Sequence, residues 1–164
     1  MGTHYRGKPE EVRALNAYIK LMRAAESMTA KMDRRLKARG LTMSQFGVLE
    51  ALFHLGPMCQ RELGRKLLKS NGNITTVVEN LERRELIHRV RGEEDRRFIT
   101  VHLTTRGATM IERLFPEHLA SIVDEMQALS STDQEALGEL CKRLGLAVET
   151  TDRRKRRAVP SAAS

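Results

Sequence analysis

Apolar residues recur along this chain at two different spacings, and the switches between them mark out its elements. From Pro9 onward, Val12, Leu15, Ile19, Met22, Met32 and Leu36 repeat at helical spacing, and Gly40 stands where such a helix would be capped. Thr42-Met43-Ser44-Gln45 has the spacing of a capping box. It precedes Phe46, Val48, Leu49, Leu52 and Leu55, a second helix that Gly56-Pro57 stops. Cys59 opens a short third helix with Leu63 and Leu67 inward. Ser70 opens a fourth, in which Ile74, Val77, Val78 and Leu81 fall at i, i+3, i+4 and i+7. The pattern then turns to alternation: Leu86 to Arg91 and Phe98 to Leu103 read as strands, with Gly92 to Arg97 as the loop between them. Helical spacing returns after Thr104 with Ile111, Leu114, Phe115, His118, Ile122 and Met126, and Pro116 inside that run should bend or break the helix. Ser131-Thr132-Asp133-Gln134 repeats the capping-box spacing and leads into Leu137, Leu140, Cys141 and Leu144, ending near Gly145.

This order predicts a mainly α fold with a small β-hairpin wing. Residues 41–104 form a winged helix-turn-helix, flanked by dimerisation helices at residues 1–40 and 105–150. The flanking helices are assigned to a dimer because they carry more apolar surface than so small a head can cover. Two heads related by a two-fold axis would meet successive major grooves about 34 Å apart, which implies a pseudo-palindromic DNA site. After about Asp152 five basic residues give way to Ala, Val, Pro and Ser, so residues 151–164 read as a disordered basic tail.

Charge sharpens the picture locally. The formal net charge is +8, of which Arg153 to Arg157 supply five; residues 61–106 hold eleven Lys or Arg against seven Asp or Glu. A polyanionic partner is implied, and double-stranded DNA fits the residue types on the fourth helix. Opposite its apolar stripe stand Asn71, Asn73, Thr75, Thr76 and Asn80, amides and hydroxyls suited to base edges. Gly72 would let the backbone approach a phosphate. Ser70, Lys66 and Lys69 sit just before this helix as phosphate contacts; Arg91 and Arg89 on the wing strand are similar, with either able instead to pair with Glu85 or Glu93. The basic tail either adds phosphate contacts or is a solvated end.

The remaining chemistry is sparse. Two cysteines, no signal peptide and no run of 18 apolar residues give the expectation of a cytoplasmic protein with no membrane partner. Cys59 occupies a helix N-cap, where a thiol can become redox-sensitive; an inert filler is the better reading without evidence of exposure. His4, His54, His88, His102 and His118 show no ligand spacing, so no metal and no cofactor are expected. No phosphate loop, nucleophile elbow or zinc-protease motif supports an enzyme.

Asp95-Arg96-Arg97, followed by Val101-His102-Leu103-Thr104-Thr105-Arg106-Gly107, resembles the wing and helix entry of the multiple-antibiotic-resistance regulator (MarR) family. Gly72-Asn73-Ile74-Thr75 and Leu81-Glu82 fit the same family, and the likeness runs from the first helix to about Val148. The resemblance implies dimeric repressors whose fourth helix lies in the major groove. It makes Arg97, with Arg96, the minor-groove residue and Asp95 its orienting partner. Gly56-Pro57, Gly72-Asn73-Ile74-Thr75 and Phe115-Pro116-x-His118 look most like regulators answering to quinones or related aromatic compounds. The family's effectors are small phenolic or aromatic anions held between the dimer helices and the winged helix. Tyr18, Met22, Phe46, Phe53, His54 and Phe115 are the candidates to line such a pocket, with Met22 and Phe46 read more readily as core filling. Family thiol sensors carry their cysteine in the first helix, which has none here. One departure is Glu85, where the family usually has Gly.

The expected function is thus a homodimeric transcriptional regulator, a repressor released by a small aromatic effector. The alternatives are a thiol-switched repressor using Cys59, a low-specificity nucleoid-binding protein in which the tail dominates, and a protein-interaction adaptor with a degenerate head.

Overall fold

The computed structural model describes residues 2–92 and 99–158. In chain order these form α1 (Pro9–Ala38), α2 (Met43–Leu55), β1 (Met58–Cys59), α3 (Gln60–Lys66), α4 (Asn71–Arg83), β2 (Ile87–Arg91), β3 (Ile99–Leu103), α5 (Thr105–Met126) and α6 (Ser131–Ala158). The protein is mainly α, with one three-stranded antiparallel sheet in the order β1-β3-β2. Its contacts divide it into two units, Met1–Ser121 and Ile122–Ser164.

The core of the first unit is made by the apolar stripes read from the sequence. Phe46, Val48, Leu49 and Leu52 of α2 are buried with Leu63 of α3, Ile74, Val78 and Leu81 of α4, Ile87 and Val101 of the sheet, and Ile111 and Leu114 of α5. Of α1, Leu36 in the last turn joins this cluster, while Met32 is buried outside it. Burial of each such side chain contributes about 1.5–3 kcal/mol, so α4 is fixed by its inner face and leaves its outer face to solvent.

Helix ends follow two chemistries. At the start of α2, the Gln45 amide donates to Thr42 Oγ1 at 3.2 Å and the Thr42 amide donates back to Gln45 Oε1 at 3.0 Å. This is the expected capping box. Three helices end in the same C-terminal motif, in which a residue at positive φ lets two amides reach back to the last carbonyls. Gly40 (φ 73) does so after α1, with Leu41 N on Leu36 O at 3.0 Å. Leu68 (φ 51) and Glu85 (φ 58) do the same after α3 and α4, with Lys69 N on Gly64 O at 2.9 Å and Leu86 N on Leu81 O at 3.1 Å.

Four expectations are revised. The strand β1 was not anticipated: two residues, Met58 and Cys59, pair with Val101 and Thr100. Pro116 does not break α5, which runs through it from Thr105 to Met126. The start of α6 is capped one residue earlier than the spacing suggested: Asp133 N donates to Ser130 Oγ at 3.2 Å, while Gln134 Nε2 binds the carbonyls of Met126 and Leu129. Finally, α6 does not stop near Gly145 but continues to Ala158. Residues 151–158, read from the sequence as disordered tail, are helical, in keeping with the high helix propensity of Arg, Lys and Ala.

Candidate nucleic-acid interface

The outer face of α4 is built by a short approach. The α3 C-terminus turns at Leu68, Lys69 follows exposed, and Ser70 caps α4 by accepting from Asn73 N at 3.3 Å. Within the first turns Gly72, Asn73 and Thr76 are exposed, and a Cβ added at Gly72 would meet nothing within 4 Å. Thr76 Oγ1 donates to Gly72 O at 3.3 Å while the residue stays exposed. Two other residues of the expected reading face are engaged elsewhere. Thr75 is half-buried and accepts from Gln60 Nε2 at 2.6 Å, a tie between α3 and α4. Asn80 is half-buried and accepts from Arg83. The side chain of Asn71 and the residues Asp95, Arg96 and Arg97 lie outside what the structure describes.

The cations divide in the same way. Arg91 is exposed at the end of β2, and Lys66 is exposed in the last turn of α3. Arg89 is not a free phosphate contact, and its partner is Glu82 rather than Glu85; Glu93 lies outside the described residues. Arg89 grips Glu82 of α4 through Nε at 2.9 Å and Nη2 at 2.5 Å, and its own amide adds a bond to Glu82 Oε1 at 3.2 Å. Those hydrogen bonds hold the Glu82 carboxyl below the usual carboxylate range and push the Arg89 guanidinium up. The pair therefore locks the reading helix to the first wing strand. Glu85 instead meets Arg106 at 3.2 Å.

The six residues expected around an effector do not converge on one cavity. Phe46 is in the core, Tyr18 and Met22 stand exposed on α1, and Phe53, His54 and Phe115 form a chain of ring contacts at 5.0 and 4.5 Å. A cavity of about 390 Å³ lies between the end of α1 and the middle of α5, lined by Arg35, Leu36, Arg39, Glu117, His118 and Ser121. Arg35 Nη1 donates to Ser121 Oγ, and Arg39 meets Glu117 at 2.7 Å. His118 connects this cavity to the core, its ring 4.3 Å from that of Phe46, and burial pushes its pKa down. Sequence reasoning had no access to these residues, because the two arginines and their partners are some 80 positions apart. A second groove of about 370 Å³ between α2 and α3 takes in His54, Glu50 and Lys66.

Cys59 is half-buried at the junction of β1 and α3, where its amide donates to Glu62 Oε2 at 3.0 Å. That bond, reinforced by the thiol, holds the Glu62 carboxyl below its ordinary range. Among the described residues no three His, Cys, Asp or Glu side chains converge as a metal site, and no helix is long and apolar enough to cross a membrane.

With this geometry in view, comparison with known proteins is informative. The MarR family model matches residues 41–99, the segment from α2 to the start of β3. The HTH-type transcriptional regulator MhqR of Bacillus subtilis is 35% identical over 134 residues, 82% of this chain and 92% of MhqR. AbsC, a MarR family transcriptional regulator from Streptomyces coelicolor, shares the fold with a TM-score of 0.80 at 21% identity, over 89% of this chain and 99% of AbsC. Bordetella bronchiseptica BpsR, whose DNA binding is regulated by 6-hydroxynicotinic acid, gives a TM-score of 0.72 at 23% identity, over 79% and 98%. The similarity to MhqR across most of both chains, on a winged-helix head that the family model also matches, means that this chain belongs to the MarR family of DNA-binding transcriptional regulators, which are not enzymes.

Proposed function

We propose that the protein is a homodimeric repressor that reads a pseudo-palindromic DNA site with α4 and releases it on binding a small aromatic anion. The observation that carries the reading is the outer face of α4: Gly72, Asn73 and Thr76 open to solvent on a helix whose opposite face is buried. In this reading Asn73 pairs with adenine and Thr76 meets a thymine methyl, Ser70, Lys66, Lys69 and Arg91 contact phosphates, and Arg96 and Arg97, with Asp95 as their orienting partner, enter the minor groove. Dimerisation is supported by α6, whose Leu137, Leu140, Leu144 and Val148 form an exposed apolar stripe on a 28-residue helix.

The effector reading rests on the α1–α5 cavity. Two guanidinium groups, a neutral imidazole and a leucine wall suit a flat ring bearing a carboxylate or phenolate. The BpsR effector, 6-hydroxynicotinic acid, is a compound of that kind. Release is a population shift. Moving a complex from mostly bound to mostly free requires about 5.5 kcal/mol of differential affinity between the two conformations.

The test is binding to the intergenic DNA upstream of the protein's own coding sequence against scrambled DNA of equal length, at about 150 mM salt. A preference of about 1000-fold or more, lost in Asn73→Ala and relieved by 6-hydroxynicotinate or a hydroquinone, supports the proposal. Equal affinity for both DNAs, with the same result for fragments selected genome-wide, refutes it.

A further inference from the structure

We propose that His88 and His102 form a two-imidazole site for a divalent transition-metal cation of the zinc class on the open face of the wing sheet. His88 of β2 stands directly opposite His102 of β3. Their neighbours Ile87 and Val101 are buried on the other face, so alternation leaves both imidazoles on the open one. The rings lie with centroids 5.3 Å apart and planes within 21° of parallel.

The separation suits a shared ion. Rotation about each Cβ–Cγ bond re-aims the ring nitrogens while the ring centre stays in place, and this torsion is soft. With Zn–N of about 2.0–2.1 Å and a nitrogen about 1.2 Å from its ring centre, an ion sits about 3.2 Å from each centroid. A centroid separation of 5.3 Å then subtends about 110° at the ion, the tetrahedral value.

Thr100 Oγ1 lies 3.0 Å from His102 Nε2. With an ion on the Nδ1 lone pair, Nε2 carries the ring proton and donates it to that hydroxyl oxygen. An outer partner holding the second ring N–H is how metal-binding histidines are generally oriented. Among the described residues no third His, Cys, Asp or Glu joins the pair. Bound there, the ion braces β2 against β3 below Arg91. The effect on DNA binding rests on the function proposed above; zinc binding itself does not.

The experiment is calorimetric titration of zinc chloride into the full chain and into His88→Ala, His102→Ala, Thr100→Val, Thr100→Ser and His4→Ala. One ion per chain is expected, weakened at least tenfold by either of the first two substitutions and unaffected by His4→Ala. Thr100→Val should weaken binding and Thr100→Ser restore it. Undiminished binding in both histidine variants, or loss in His4→Ala alone, overturns the site. Should an alanine variant fail to fold, zinc-induced shifts of the His88 and His102 ring resonances in the unsubstituted chain support the site, and shifts confined to other histidines overturn it. Zinc should also change operator affinity in the unsubstituted protein and not in His88→Ala. If no operator is bound at all, the DNA-reading proposal fails while the titration still reports on the metal.

Discussion

Glu85 closes the C-terminus of α4 in a conformation that costs an L-amino acid about 1–2 kcal/mol and glycine nothing. At an ordinary position glycine is the worse residue, by about 0.5–1 kcal/mol relative to alanine, because it surrenders more backbone freedom on folding. At φ 58 the first effect outweighs the second, so the order of the two residues should invert. Glu85→Gly and Glu85→Ala both remove the contact with Arg106, whose side chains are 80% and 66% exposed, a loss worth no more than about 0.5 kcal/mol. Comparing the two variants cancels that loss. Glu85→Gly is expected to be more stable than Glu85→Ala by about 1 kcal/mol, read as a higher urea midpoint with unchanged slope. Leu68, 82% exposed at φ 51 in the matching turn after α3, provides an independent repeat with Leu68→Gly and Leu68→Ala. Alanine equal to or better than glycine at both positions would falsify the assignment of left-handed caps.

Gly107→Ala should cost about 3 kcal/mol or more, because its new Cβ would stand 1.9 Å from the Leu86 carbonyl oxygen, which is already held by Thr104 N at 3.1 Å; a urea titration reads the loss. His118, whose pKa burial depresses below 6.5, favours the folded state while neutral, so its contribution is full above about pH 6.5 and declines as pH falls through the unfolded value toward the folded one. The drop in stability between pH 7.5 and 5.5 should be smaller in His118→Asn than in the unsubstituted chain. Glu82→Gln should cost about 1 kcal/mol through the partly exposed pair with Arg89, and should weaken binding to specific DNA more than to scrambled DNA, because it loosens α4 relative to β2 without touching a phosphate contact; parallel titrations of the two DNAs decide it.

What could be read from the sequence was whatever a single element writes into its own spacing. The stripe Ile74, Val78 and Leu81 gave α4 its inner face, and Thr42 and Gln45 gave α2 its first residue. Helix ends were legible where the usual residue does the work, as at Gly40, and illegible at Leu68 and Glu85, where the same turn is made by residues that do not announce it. The strand β1 is two residues long and exists only because β3 offers Met58 and Cys59 their distant partners Val101 and Thr100, which no local pattern encodes. The candidate site divides likewise. Asn73 and Thr76 stand outward as the helical wheel implies. Thr75 shares that face by spacing alone, but Gln60 of the neighbouring helix claims its hydroxyl. Residue type and helix membership suggest Tyr18, Met22, Phe46, Phe53, His54 and Phe115 for an effector pocket, but neither can say that Arg35 and Arg39 of α1 will face Ser121 and Glu117 of α5.

The bonds that hold α4 also restrict how an effector could release DNA. Pulling α4 alone out of register would break the Glu82–Arg89 grip, worth about 1 kcal/mol, and the Gln60–Thr75 bond, worth about another. It would also expose part of Ile74, Val78 and Leu81, each worth about 1.5–3 kcal/mol when buried. Together these costs are comparable with the roughly 5.5 kcal/mol of differential affinity that a complete switch requires, so little would remain to drive release. Turning each winged-helix head as a rigid body leaves all of these contacts intact and alters only the spacing between the two reading helices of the proposed dimer. Spin labels at Thr76 and at Arg61 of one protomer should therefore keep their separation when 6-hydroxynicotinate or a hydroquinone binds, while labels at Thr76 in the two protomers change theirs. A change in the first distance with none in the second would mean that α4 moves within its own head, and that the ties to α3 and β2 are weaker than their geometry implies.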